Sequence, residues 1–69
     1  MKTFRDVCAE DEKGKRYRII NDWTHTFVEE LDRKEAIEKY GDCVYYGGYT
    51  SGYVEGGGFE VTVWLDCWK

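Results

Sequence analysis

The sequence has no proline and only one histidine and one methionine in 69 residues. Without proline there is neither a stiff extended linker nor a PxxP-type recognition segment. No run approaches the ~20 apolar residues of a membrane span, so no membrane partner is expected. The opening Met1-Lys2-Thr3-Phe4-Arg5-Asp6 turns charged at once, unlike the apolar core of a secretory leader. A cytoplasmic location is the expectation. Cysteine numbers three, an odd count, at Cys8, Cys43 and Cys67 with no CxxC spacing. That pattern predicts reduced, buried thiols rather than a disulfide framework. With His25 the three could supply a Cys3His zinc set, but their scatter pre-forms no half-site, and no metal or other cofactor is expected. Nucleophilic catalysis by a Cys–His pair requires His25 beside a thiol plus an orienting group. Nothing in the spacing provides this, and no enzyme is expected.

Basic residues are outnumbered by acidic ones, ten to fourteen. The net charge is −4, with six basic and four acidic groups in residues 1–18 against four and ten in residues 19–69. This balance works against phosphate-backbone binding, so nucleic acid is a disfavoured partner. The segment Gly47-Gly48-Tyr49-Thr50-Ser51-Gly52 lacks the Gly-Lys-Ser/Thr and following helix of a phosphate loop. Glu29 and Glu30 are adjacent, which in an extended strand sends them to opposite faces, a poor geometry for shared acid–base work.

Aromatic residues are abundant: three Trp, six Tyr and three Phe, 17% of the chain. So many rings exceed what one small core can hide. The length fits a single domain spanning residues 1–69. The hydrophobic pattern reads as a small α+β domain with an antiparallel sheet in the order β-β-β-α-β-β. Residues 3–9, 16–20 and 24–28 form a three-stranded N-terminal meander, a helix start being the alternative for the third. Asp32 and Glu35 make a capping box for one short helix, which presents Ala36, Ile37 and Tyr40. Gly41 ends this helix as a residue suited to positive φ.

The runs 43–54 and 59–68 read as a hairpin about the loop Glu55-Gly56-Gly57-Gly58. That loop sets Val54 opposite Phe59, Gly48 opposite Leu65 and Tyr46 opposite Cys67. Period-two alternation then gives one side to Phe59, Val61, Val63, Leu65 and Cys67, with Gly48 and Gly52 leaving room for the helix. The other side receives Tyr45, Tyr49, Tyr53, Trp64 and Trp68. These five are the candidate protein-binding residues, because Trp and Tyr are favoured interface anchors and a bare apolar patch calls for a purpose.

The expected function is therefore that of a small non-enzymatic protein-binding module, with a protein partner or a second copy in a homodimer. A platform for single-stranded nucleic acid or carbohydrate on the same face is the alternative. In size, acidity and aromatic richness the chain is similar to small accessory proteins of phages and mobile elements, some of which inhibit a host protein. That likeness is one of type and rests on no motif.

Overall fold

A computed structural model describes residues 1–67. It is an α+β fold of two helices and one four-stranded sheet: α1 (Phe4–Glu10), β1 (Gly14–Asn21), β2 (Thr26–Asp32), α2 (Arg33–Tyr40), β3 (Val44–Tyr53) and β4 (Phe59–Asp66). The sheet order is β2-β1-β4-β3. Two antiparallel hairpins, β1–β2 and β3–β4, lie side by side, joined by parallel pairing of β1 with β4. The sheet is thus mixed, not antiparallel throughout.

The first expected strand, residues 3–9, is helical. Thr3 and Asp6 form a reciprocal capping box, and Phe4 and Cys8 fall one turn apart on the buried side. A seven-residue helix is far too short to persist by itself. It is held by backbone bonds from Phe4 N–H to the Cys43 carbonyl and from Arg5 N–H to that of Gly41, both 2.9 Å. Phe4, with no exposed surface, meets the Tyr17 ring edge-on at 4.9 Å.

The third expected strand, 24–28, is displaced to Thr26–Asp32. Residues 22–25 make the turn. The Asn21 side chain accepts from Trp23 N–H at 2.8 Å, His25 N–H donates to the Asn21 carbonyl at 2.7 Å, and His25 itself sits at φ 57°. Residues 24 and 25 are thereby used up in closing the hairpin.

The helix α2 lies where the sequence places it. Asp32 Oδ1 accepts from Glu35 N–H at 2.9 Å, satisfying one of the helix's otherwise unpaired first-turn donors. Gly41 does not need positive φ, since its φ is −55°. Glycine is required there by close approach: a Cβ would fall 2.4 Å from the Ile37 carbonyl oxygen and 2.7 Å from the Arg5 guanidinium.

The β3–β4 register differs from the expected one by one residue at the loop and by three at the far end. Tyr53, not Val54, faces Phe59, and Val44 faces Asp66. The Phe59 N–H donates to the Lys13 carbonyl, so it is unavailable to Val54. Val54 joins a five-residue loop in which Gly56, Gly57 and Gly58 all adopt positive φ. Irregularities between Tyr45 and Gly47 and between Thr50 and Gly52 insert one extra residue each, adding the remaining shift. The far end is where this matters most. With Val44 opposite Asp66, the flanking Cys43 and Cys67 face each other, and they form a disulfide with Cα atoms 4.9 Å apart. Only Cys8 is a free, buried thiol. The expectation of three reduced cysteines therefore fails for Cys43 and Cys67.

The core lies on one side of the sheet. Phe4 and Cys8 of α1 and Ala36 and Tyr40 of α2 pack with Tyr17, Ile19, Cys43, Val63 and Leu65. Arg33 ties this layer together: its guanidinium donates to the carbonyls of Cys8, Asp11 and Gly14 and to the Tyr17 hydroxyl. Burial pushes the Cys8 thiol and the Tyr17 phenol up. No helix is long and apolar enough to cross a membrane among the described residues.

Candidate interaction face

Alternation along β1 sends Tyr17 and Ile19 into the core and turns Arg16, Arg18 and Ile20 to the opposite side of the sheet. The same rule on β4 turns Glu60, Thr62, Trp64 and Asp66 that way. Register carries the pattern across all four strands. Phe27 of β2 pairs with Ile20, Ile20 with Trp64, and Trp64 with Gly47 of β3. Gly47 offers no side chain to this row, and the Tyr49 ring, two residues on, lies against Trp64 instead, with centroids 5.6 Å apart. An apolar row therefore crosses the sheet near the carboxyl ends of the parallel pair. Both helices pack on the other side, and among the described residues no element covers this one.

The next two rows are polar. Glu30, Arg18, Thr62 and Tyr49 form one, and Asp32, Arg16, Glu60 and Gly52 the other. Arg16 ion-pairs with Glu30, and the Arg18 guanidinium lies 5.3 Å from the Phe27 ring centroid, within cation–π range. Thr62 is only 2% exposed although no helix covers it, since Arg18 and Tyr49 stand on either side. Its hydroxyl donates to Ser51 at 3.0 Å, and Ser51 to Glu60 at 3.1 Å. Two arginines thus share the face with Glu30, Asp32, Glu60 and Asp66.

The five expected site residues are not all brought together. Tyr49, 53% exposed, and Trp64 share the open face. Tyr45 faces Leu65 and packs against the core, and burial raises its phenol pKa. Its hydroxyl closes over Gly48, where a Cβ would sit 3.0 Å away. Tyr53 pairs with Phe59, with ring centroids 5.4 Å apart, on the side of Val61 and Val63 but beyond the helices, 84% exposed. Trp68 lies outside the described residues. The cause is the shortened register, which moves Tyr45 and Tyr53 across the sheet while a bulge restores Tyr49 to its side.

Two members of the face, Phe27 and Ile20, were not among the expected residues. The alternation Arg16-Tyr17-Arg18-Ile19-Ile20 already separates two sides, but which hairpin would dock beside β1 leaves no local signal. The four candidate metal ligands also go separate ways. Cys8 is buried under α1, Cys43 and Cys67 are bonded, and His25 sits in an exposed turn. Among the described residues no group of three or more His, Cys, Asp or Glu converges. Glu29 and Glu30 do point to opposite sides. Glu29 accepts from Lys39 at 2.6 Å and from the Tyr40 hydroxyl on the helix side, and Glu30 lies on the open face.

No protein-family model, curated protein or solved structure matches the chain. The reading of the face rests on its own geometry.

Proposed function

We propose that the chain is a non-enzymatic protein-binding module and that its partner docks on the open side of the sheet. The observation supporting this is the uncovered row Phe27–Ile20–Trp64 with Tyr49 stacked at its end. Tyr and Trp anchors rimmed by charged residues match the anatomy of protein interfaces. Inhibition of a host protein, or pairing with a second copy, are two forms this association can take. The four carboxylates on the face oppose the alternative of a nucleic-acid platform, since among the described residues only Arg16 and Arg18 stand against them there.

Trp64→Ala and Phe27→Ala test the reading. Trp64 is half-buried and Phe27 exposed, so both variants should keep a native circular dichroism spectrum. Each should weaken association by about thirtyfold, the effect of removing an anchor worth ~2 kcal/mol. Sedimentation measures self-association, and titration with an isolated partner measures hetero-association. Folded variants that associate as tightly as the parent would overturn the proposal. Binding that collapses as salt is raised would favour the nucleic-acid alternative.

A further inference from the structure

Strand β3 ends the sheet, and the outer edge of its backbone is paired only at its start. There Thr3 forms an antiparallel bridge to Val44, and Tyr45 N–H donates to the Lys2 carbonyl at 3.0 Å. From Gly47 to Tyr53 nothing among the described residues pairs with this edge. Cys67, the last described residue, has its Cα 4.9 Å from that of Cys43. Two more residues span at most ~7 Å, whereas Gly48 lies about 16 Å along the strand from Cys43. The edge also lacks charge. β3 reads Val-Tyr-Tyr-Gly-Gly-Tyr-Thr-Ser-Gly-Tyr, while β2 at the other edge carries Glu29, Glu30 and Asp32. Charged side chains and proline are what keep an edge from pairing with another chain. The two bulges of β3 fall at Tyr46 and Ser51 and leave Gly47–Thr50 regular between them.

Beside this edge, on the helix side of the sheet, opens a cleft of about 150 Å³. Its walls include Val7 of α1, Val61 and Val63 of β4, Gly48 and Thr50 of β3, and Asp11. A space of that size takes a benzene-sized group. Asp11 is exposed, and among the described residues its carboxylate is engaged only through Oδ1, which accepts from Lys13 N–H at 2.9 Å. Apolar walls with an available carboxylate oxygen suit a phenol, whose ring is covered while its hydroxyl donates. β3 itself carries such a group. Tyr53 is 84% exposed even with its ring against Phe59. Tyr53 pairs with Phe59 and Gly48 with Val63, so both stand on the helix side; five residues apart, they would alternate to opposite sides but for the bulge at Ser51. Residues directly opposite in an antiparallel pair share a side. Two copies of β3 laid edge to edge about a twofold axis near Thr50 therefore set Tyr53 of each copy against Gly48 and the cleft of the other.

We propose that the outer edge of β3 pairs antiparallel with β3 of a second copy of this chain, each Tyr53 filling the other copy's cleft and donating to the other copy's Asp11. Such a contact is isologous and closes at two copies. An uncharged strand meets itself without repulsion, whereas a β2–β2 contact would set carboxylates against carboxylates. The apolar row lies on the other side of the sheet and stays open, so this pairing does not rest on the open-face reading.

Sedimentation of the full chain from about 1 μM to about 1 mM tests the pairing, and a monomer–dimer equilibrium is expected. Thr50→Lys and Thr50→Glu change an exposed residue near the axis, so each variant should keep a native circular dichroism spectrum. Each should weaken self-association by about tenfold or more, because like charges are brought together. Mixed in equal amounts, the two should associate again as a heterodimer. Tyr53→Ala should weaken the dimer about thirtyfold, and Tyr53→Phe, which keeps the ring, should lose less. A parent chain that stays monomeric throughout, or a dimer that Thr50→Lys leaves equally tight, would overturn the proposal. Phe27→Ala, on the open face, separates the two readings. A dimer lost in Phe27→Ala but kept in Thr50→Lys overturns the edge pairing alone. A dimer lost in Thr50→Lys, kept in Phe27→Ala and restored in the Lys–Glu mixture supports it.

Discussion

Replacing Arg33 by methionine keeps an unbranched stem of similar reach but removes every bond described for the Arg33 guanidinium. Four partners lose a donor: the carbonyls of Cys8, Asp11 and Gly14 and the Tyr17 hydroxyl. Asp11 is exposed, so water can replace the bond there, whereas Cys8 and Gly14 are buried. An unsatisfied buried carbonyl costs about 1–3 kcal/mol, so the two together give about 3 kcal/mol. An opposing effect is smaller: a cation in the first turn of α2 is disfavoured by the helix dipole, and removing it returns about 0.5 kcal/mol at most. A domain of this length has roughly 3–10 kcal/mol of stability in all. Urea denaturation followed by circular dichroism should show the midpoint falling by about 2–3 M, for a slope near 1 kcal/mol/M. Arg33→Lys, with fewer and differently aimed donors, should fall between. High salt should not erase the difference, because these four partners are all uncharged. A loss under about 0.5 kcal/mol, the usual scale for a surface position, would refute the reasoning.

Reduction of the Cys43–Cys67 disulfide should lower stability by about 3 kcal/mol, the chain-entropy scale for a cross-link spanning 24 residues. Thermal melts with and without a phosphine reductant measure it, and an intact mass unchanged by reduction would show that the bond is absent. Burial, and then the hydrogen bond to Glu29, push the Tyr40 phenol up to about 12. A raised pKa stabilises the fold fully below the unfolded value near 10, and this contribution is lost as pH rises through about 12. Alkaline melts should steepen across that window, and Tyr40→Phe should remove its share. Glu29 is held below the ordinary carboxylate range, first by the Lys39 hydrogen bond and then by Tyr40. Its contribution is present above about 4.3 and disappears as pH falls through the depressed value. Glu29→Gln should flatten the acid limb of the pH–stability curve.

The α2 helix was legible because its signals are local: the Asp32 cap, the apolar stripe Ala36, Ile37 and Tyr40, and the stop at Gly41 lie within ten residues. The α1 helix had a comparable code in Thr3 and Asp6 with Phe4, Val7 and Cys8 at helical spacing. There Phe, Val and Cys read as strand, and what decides the matter is a set of bonds to Gly41 and Cys43, far along the chain. The existence of both hairpins and the division of β4 into two sides follow from alternation alone. Register does not, because one N–H on Phe59 bonds to Lys13 rather than to Val54, and two bulges add to the shift. That choice moves Tyr45 and Tyr53 off the aromatic side and brings Cys43 opposite Cys67. Likewise the parallel contact of β1 with β4, which joins Phe27 and Ile20 to Trp64, joins strands some forty residues apart in sequence. Residue order determined which side chains alternate; only long-range backbone pairing decided which of them share a face.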